Sequence, residues 1–443
     1  MRSLSMCSLL MLIVCGSCST EPPQSAADSP ADKSQNEITP TKKPADNDKS
    51  SSPRSAAKVE RVASLPNVNL TTKEINDGWI QLFDGISLFG WKPNNDVNWS
   101  VEDGMIAADQ GKPGLLLTTV PFADFELRCD FRLEKGGNSG VFLRSPFNPT
   151  DPAVDCYELN MCDTHPAFAT ASLVGRVKPD EPVNGDGEWR TYHVVCQGPH
   201  ITVKMDGKTV LDFTDKVGAS APVSGLIGLQ KNKGKIEFRN VFLKPLGAKP
   251  IFNEKDLAGW RVVPGSKSDF VVKDKTIHVT DGAGFLETEQ TWSDFIFQFD
   301  AITNDKHLNS GVFFRAMRGS EDAPSHGYEA QIHNGFEDGD RTKPMDWGTG
   351  AIFRRQKARW VAADDQEWFT VTLAAHADHF AVWVNGLQVT DWADEREPNE
   401  NPRRGKRLKA GHISLQGHDP TTNLAFRRLR IVAYPNQSEL SRE

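Results

Sequence analysis

At 443 residues the chain is too long for one small domain, and 38% hydrophobic with 25% charged residues excludes a wholly disordered, collagenous or polytopic membrane protein. The 51 Lys and Arg against 59 Asp and Glu leave a net charge of -8, the wrong sign for a nonspecific nucleic-acid binder, so no nucleic-acid partner is expected.

Arg2 precedes an apolar run, Leu9 to Val14, that is too short to span a bilayer and ends in Cys15-Gly16-Ser17-Cys18. Residues 1–18 read as a lipoprotein-type signal peptide with lipidation on Cys18; ordinary secretion with cleavage nearby is the alternative. The protein is then exported, periplasmic or at the cell surface, and meets a bacterial membrane only through a lipid anchor. Residues 19–69 are rich in Pro, Ser, Lys and Asp and nearly free of aromatic and branched apolar side chains, so they read as a disordered tether. Thr71 and Glu74 have capping-box spacing ahead of a short helix ending near Asp77-Gly78.

The rest of the chain repeats itself. Gly90-Trp91 returns as Gly259-Trp260 at an offset of 169, Asn138-Ser139-Gly140-Val141-Phe142-Leu143-Arg144 as Asn309-Ser310-Gly311-Val312-Phe313-Phe314-Arg315 at 171, and Tyr157-Glu158 as Tyr328-Glu329, also at 171. Asp206-Gly207 matches Asn385-Gly386 at 179, and Leu229-Gln230 matches Leu415-Gln416 at 186. Offsets that only grow mean loop insertions in a second copy of one domain, with copies at 70–247 and 248–436 and a tail at 437–443. Both copies are short period-two runs, such as Phe125-Leu127-Cys129-Phe131 against Glu126-Arg128-Asp130-Arg132. Asp206-Gly207 and Asn385-Gly386 are hairpin turn signals. The fold class is all-β: two tandem antiparallel jelly-roll β-sandwich domains.

Alternation separates core from surface, because residues i, i+2 and i+4 of a strand share a face. Tyr328, Ala330 and Ile332 oppose Glu329, Gln331 and His333; in the first copy Tyr157, Leu159 and Met161 oppose Glu158, Asn160 and Cys162. Ile413, Leu415 and Gly417 oppose His412, Ser414, Gln416 and His418, of which the first copy keeps Gln230. Phe313 and Arg315 share a face, which aims Arg315, and its counterpart Arg144, beside the same polar surface. Amides, His, Arg and a carboxylate flanked by Phe313 and Trp347 as stacking platforms suit sugar hydroxyls; a solvated outer face is the alternative.

Acidic residues at Glu337-Asp338-Gly339-Asp340 with Asp346 suggest calcium, without the spacing of a known loop. A divalent ion, calcium or a transition metal, held by Glu329, His333 or His418 is the other metal reading. Four cysteines lie in the first copy, Cys129, Cys156, Cys162 and Cys196, as buried thiols or as disulfides; the second copy has none.

Both copies resemble the 3-keto-disaccharide hydrolase domain family, whose fold is concanavalin-like. The resemblance rests on Leu82-Phe83-Asp84-Gly85 with Trp91, the two Asn-Ser-Gly-Val-Phe runs, the Tyr-Glu pairs, Glu-Trp before a strand, and Leu415-Gln416-Gly417-His418-Asp419 followed by Phe426-Arg427. The first copy has Leu229-Gln230-Lys231-Asn232 where that last motif has His and Asp, which places the active site in the second copy. The resemblance implies cleavage of 3-keto-glycosides by elimination at C1–C2 and hydration. His333 or Glu329 is then the base, Arg315 with Gln331 clamps the enolate, and His418 is acid or metal ligand. Gln416, His412, Phe313 and Trp347, with Arg144, Glu158, Asn160 and Gln230 in the first copy, would hold the carbohydrate. No Glu-x-Asp-x-x-Glu constellation occurs, which disfavours a conventional retaining glycosidase. The competing reading is a noncatalytic tandem carbohydrate-binding or adhesin protein; the sequence leaves the oligomeric state open.

Overall fold

The computed structural model describes residues 65–435, apart from 186 and 217–220. The signal segment, Cys18, most of the tether and the C-terminal tail fall outside the described residues, none of which forms a helix long and apolar enough to cross a membrane. The first helix among the described residues is Thr72–Asn76, closed by a capping box in which Glu74 N donates to Thr71 Oγ1 and Thr71 N to Glu74 Oε2.

Two β-sandwiches of the same topology follow. In the first, an eight-stranded sheet runs in the order Lys208–Thr214, His200–Met205, Arg190–Gln197, Phe125–Leu133, Ile236–Pro245, Met105–Ala108, Ser100–Glu102, with Ile80–Gln81 also paired to Ile236–Pro245. It faces a five-stranded sheet, Trp91–Pro93, Gly114–Thr118, Leu226–Lys231, Ser139–Ser145, Tyr157–Met161. The second sandwich repeats both sheets, its five-stranded one being Trp260–Val262, Gly284–Thr288, His412–Gly417, Ser310–Met317, His326–Ile332. All ladders within these sheets are antiparallel, and the two Asp/Asn-Gly turns have positive φ at both residues, 49° and 83° for Asp206-Gly207 and 49° and 81° for Asn385-Gly386.

The sandwiches differ in how their outer strands are buried. Phe125–Leu133 alternates buried and half-buried along its length, whereas Phe295–Thr303 is buried on both faces over most of its length. Ile296, Ala374, Ala381 and Trp383, on the outer face of the second eight-stranded sheet, pack into the first sandwich's core. Trp383 Nε1 donates to Gln81 O at 3.1 Å, and Arg359 pairs with Asp84 at 2.7 Å while stacked between Phe89 and Trp360. A sheet face covered on both sides loses its polar alternation for this reason.

Arg144 and Arg315 are not on the polar surface where strict alternation put them. Each sits at a β-bulge in the left-handed region, at φ 53° and 47°, which turns the side chain inward. Arg315 donates to the carbonyls of Ser293, Ala377 and Arg407 and pairs with Asp294 at 2.8 Å; Arg144 does the same with Ala123, Gly198, Pro222 and Asp124. These are duplicated structural clamps, each buried and engaged by backbone carbonyls and one carboxylate. The four cysteines are free and buried, and burial pushes the Cys156 and Cys196 thiols up to about 12. Arg315→Met leaves three carbonyls without their donor and Asp294 with Ala377 N in place of the guanidinium, and should destabilise the second sandwich by about 3 kcal/mol, read as a lower urea midpoint. Arg315→Lys should rescue little of this, since one ammonium cannot reach the four acceptors.

Candidate active site

The face of the second five-stranded sheet that points away from the core carries the polar set in register. One row runs Arg261, Glu287, Ser414, Phe313, Glu329; the next contains Phe285, Gln416, Gly311 and Gln331. His333 and His418 each lie one residue beyond the end of their strands, at the same end of the sheet.

Glu329 is 5% exposed and meets Arg403 at 3.0 Å. Burial pushes its carboxyl up to about 7, opposed by Arg403 and His418 and assisted by Asp346. Gly311 lies across from it, and a Cβ there would come within 2.7 Å of Glu329 Oε1 and push the carboxyl from this position. Phe313 is fully buried beneath the Arg403 guanidinium, 5.0 Å from its ring, and edge-on to Phe285. As placed, it packs Arg403 and offers no open stacking surface. Trp347 is half-buried at the rim, with its ring 6.0 Å from Phe353.

Gln331 Nε2 donates to Asp346 Oδ2 at 3.0 Å and to Asn309 Oδ1, and Asn309 donates to the same Asp346 oxygen at 2.6 Å. That triad fixes the amide and leaves Gln331 Oε1 without a partner; Gln416 Oε1 and Ser414 Oγ, on the same face, also lack one. Three buried polar atoms without partners on one surface are ready to meet ligand hydroxyls. His333 is buried, which lowers its pKa, and Gly335 N donates to its Nδ1 at 3.2 Å. The neutral ring therefore carries its proton on Nε2 and acts as a donor. His418 is exposed, with Nδ1 2.8 Å from Asp419. His412 is tied to Thr288 O through Nδ1.

No group of three or more His, Cys, Asp or Glu suited to a metal occurs among the described residues. Glu329, His333 Nδ1 and His418 Nδ1 are engaged by Arg403, Gly335 and Asp419, and Asp340 caps its own turn through Thr342.

The corresponding face of the first sandwich keeps Lys92, Glu158, Asn160 and Gln230 but has an apolar centre. Leu115, Leu117 and Phe142 cluster with Cys156, and Phe147 and Leu226 pack against them. Glu158 is also pushed up to about 7 by burial, but its partner is the amide of Gln230 at 3.2 Å and not a cation. Asn160 donates to Phe168 O.

Sequence reasoning missed Arg403 and Asn309 as parts of this site, put Ser414 on the polar face without a role, and read Asp346 only as a calcium ligand. Asn309 had a signal, its recurrence before the strand as Asn138; Arg403 lies in a loop 74 residues beyond Glu329, where alternation says nothing.

Two sandwiches of common topology, one presenting a polar five-stranded face and the other a face with an apolar centre, define a tandem all-β protein of jelly-roll type. The chain belongs to the 3-keto-alpha-glucoside-1,2-lyase-like domain family, whose model matches residues 78–244 and 247–432. It is similar to a 3-keto-disaccharide hydrolase of Bacteroides thetaiotaomicron, 26% identical over 38% of this chain and 79% of the relative. Similar solved structures include one from Parabacteroides distasonis described as a glycosyl hydrolase (23% identity, TM-score 0.37, 40% of this chain and 98% of that one). Another is a Bacillus subtilis carbohydrate-binding module, CBM66 (18% identity, TM-score 0.29, 35% and 95%).

A carboxyl whose folded pKa lies above its unfolded value binds its proton more tightly in the native state, so stability falls as pH rises from about 4.5 to about 7. Glu329→Gln should therefore raise the Tm at pH 8, by a gain on the order of 1–3 kcal/mol that vanishes by pH 4, measured by calorimetry at both pH values.

Proposed function

We propose that the second sandwich cleaves 3-keto-glycosides or 3-keto-disaccharides by elimination across C1–C2 followed by hydration. The observation that carries this reading is a buried carboxyl, Glu329, pushed up to about 7 at the wall of a small cleft and facing one guanidinium at 3.0 Å. A base with that affinity is matched to a proton made acidic by a neighbouring ketone.

The ketone at C3 acidifies the C2 proton. Glu329 takes it, the C2–H electron pair becomes the enolate, and negative charge moves from the carboxylate to the C3 oxygen. Arg403, already against Glu329, can follow that charge, replacing Arg315 in the clamp. The C1–O bond then breaks with its electron pair on the leaving oxygen, which takes a proton from His418 Nε2 while Asp419 holds the imidazolium through Nδ1. His333 donates through Nε2 and serves as a hydrogen-bond donor, so Glu329 is the base of the two candidates. Water adds across C1=C2 of the resulting enone, the hydroxyl to C1 and a proton to C2, giving the free 3-keto sugar. Gln331 Oε1, Gln416 Oε1 and Ser414 Oγ accept from sugar hydroxyls. The first sandwich, with an apolar patch at the centre of its face and no cation paired to Glu158 among the described residues, has no part in the chemistry.

The three unpartnered acceptors would equally serve a noncatalytic carbohydrate-binding protein, the second reading. Release of free sugar from a 3-keto-disaccharide decides between them. Glu329→Gln should lower kcat by 10³-fold or more, His418→Ala by about 10²-fold, and kcat/KM should rise with pH through about 7 in the wild type. Glycan binding without turnover would leave the binding reading in place, and full activity in Glu329→Gln would remove Glu329 as the base.

A further inference from the structure

The second sandwich carries a basic segment that the first lacks. The repeat offset rises from 179 at the Asn385-Gly386 hairpin to 186 at Leu415-Gln416, so seven residues are added between them. Within that stretch Arg403-Arg404-Gly405-Lys406-Arg407-Leu408-Lys409 holds five cations, in a chain whose net charge is -8. With the turn at 352–355 it closes a cleft of about 110 Å³ whose walls include Glu329, Phe353, Arg354, Arg355, Pro402 and Arg403. A cavity of about 150 Å³ takes one benzene ring, so this cleft is too small for a pyranose and suits one exocyclic group.

The two copies treat one arginine differently. In the first, Arg176 pairs with Asp215 at 2.7 Å and donates to Cys156 O. Its counterpart Arg355 follows Ile352 as Arg176 follows Leu173, each in a turn bridged to the edge strand. The carboxylate matching Asp215 is Asp394, and Arg396 has taken it at 2.8 Å. Among the described residues Arg355 donates to the carbonyls of Arg354 and Arg403. Arg354 is exposed at φ 58° with its guanidinium over Phe353, and neither arginine has a carboxylate partner among the described residues. Nearby Glu400 is held by Arg407 and Lys409. The cleft beside Glu329 is thus lined by two guanidinium groups that form no ion pair among the described residues, with Asp394 acting on Arg355 only at longer range, and such groups can pair with a planar or tetrahedral anion.

We propose that this cleft receives an anionic exocyclic group, a carboxylate or a sulfate ester, so that the preferred substrates are acidic 3-keto-glycosides. The inference rests on the reading of Glu329 as the reacting centre, but anion recognition is measurable without turnover. With the full chain, kcat/KM is compared for 3-keto derivatives of a methyl glucoside, a methyl glucuronide and a methyl glucoside 6-sulfate. At least one charged substrate should exceed the neutral one about tenfold, with the advantage falling as salt rises; which one it is distinguishes carboxylate from sulfate. Arg354→Gln and Arg355→Gln should each reduce the charged-to-neutral ratio about five- to tenfold. Equal kcat/KM for all three, or variants that lower charged and neutral substrates alike, would overturn the proposal. In parallel, calorimetry with the unoxidised methyl glycosides should show tighter binding of the charged ones, weakened in both variants; equal affinities would overturn anion recognition. Absence of turnover on every 3-keto sugar would refute the proposed reaction and leave the calorimetric arm to decide the cleft.

Discussion

Burying a carboxylate costs several kcal/mol unless a cation or hydrogen-bond donors compensate it, and the second sandwich meets that cost only in part. Arg403 lies at 3.0 Å, yet burial still holds the Glu329 carboxyl at about 7. Much else at the site follows from keeping that group in place. Gly311 leaves room beside it, Phe313 underlies the guanidinium, and the Asn309–Gln331–Asp346 triad orders the neighbouring row. A fully compensated carboxylate would be a weak base, and an uncompensated one would stay protonated; the observed balance lies between.

The duplication shows what the same backbone does without that balance. In the first sandwich the row of Glu287, Ser414 and Phe313 is replaced by Leu117, Gly228 and Phe142, and Phe147 packs over it. Its sheets keep the topology, and its inward arginine clamp survives intact at Arg144. Its core instead extends across the outer face of the second sandwich through Trp383, Ile296, Ala374 and Ala381. The first copy has become a packing partner for the second, which accounts for outer strands there that are buried on both sides.

The sandwich architecture, the duplication, the capping box and both hairpin turns were legible because each depends on local pattern: period two, a fixed offset, or residues that tolerate positive φ. The placement of Glu329 and Gln331 was legible for the same reason. Arg144 and Arg315 were misplaced because a bulge inserts one residue and reverses the faces beyond it, and no local residue type announces it. Arg403 was invisible because a loop partner is chosen by three-dimensional proximity. Phe313 was correctly assigned to its face but misread as a platform, since the guanidinium that covers it comes from that same loop.

The central claim is that cleavage proceeds through removal of the C2 proton, and not by direct displacement at C1. Turnover of a 3-keto-disaccharide by the full chain in D₂O, followed by mass spectrometry of the released 3-keto sugar and corrected for exchange without protein, tests it most directly. One deuterium at C2 per cleavage event is the predicted result. Release of sugar that retains protium at C2 would contradict the account.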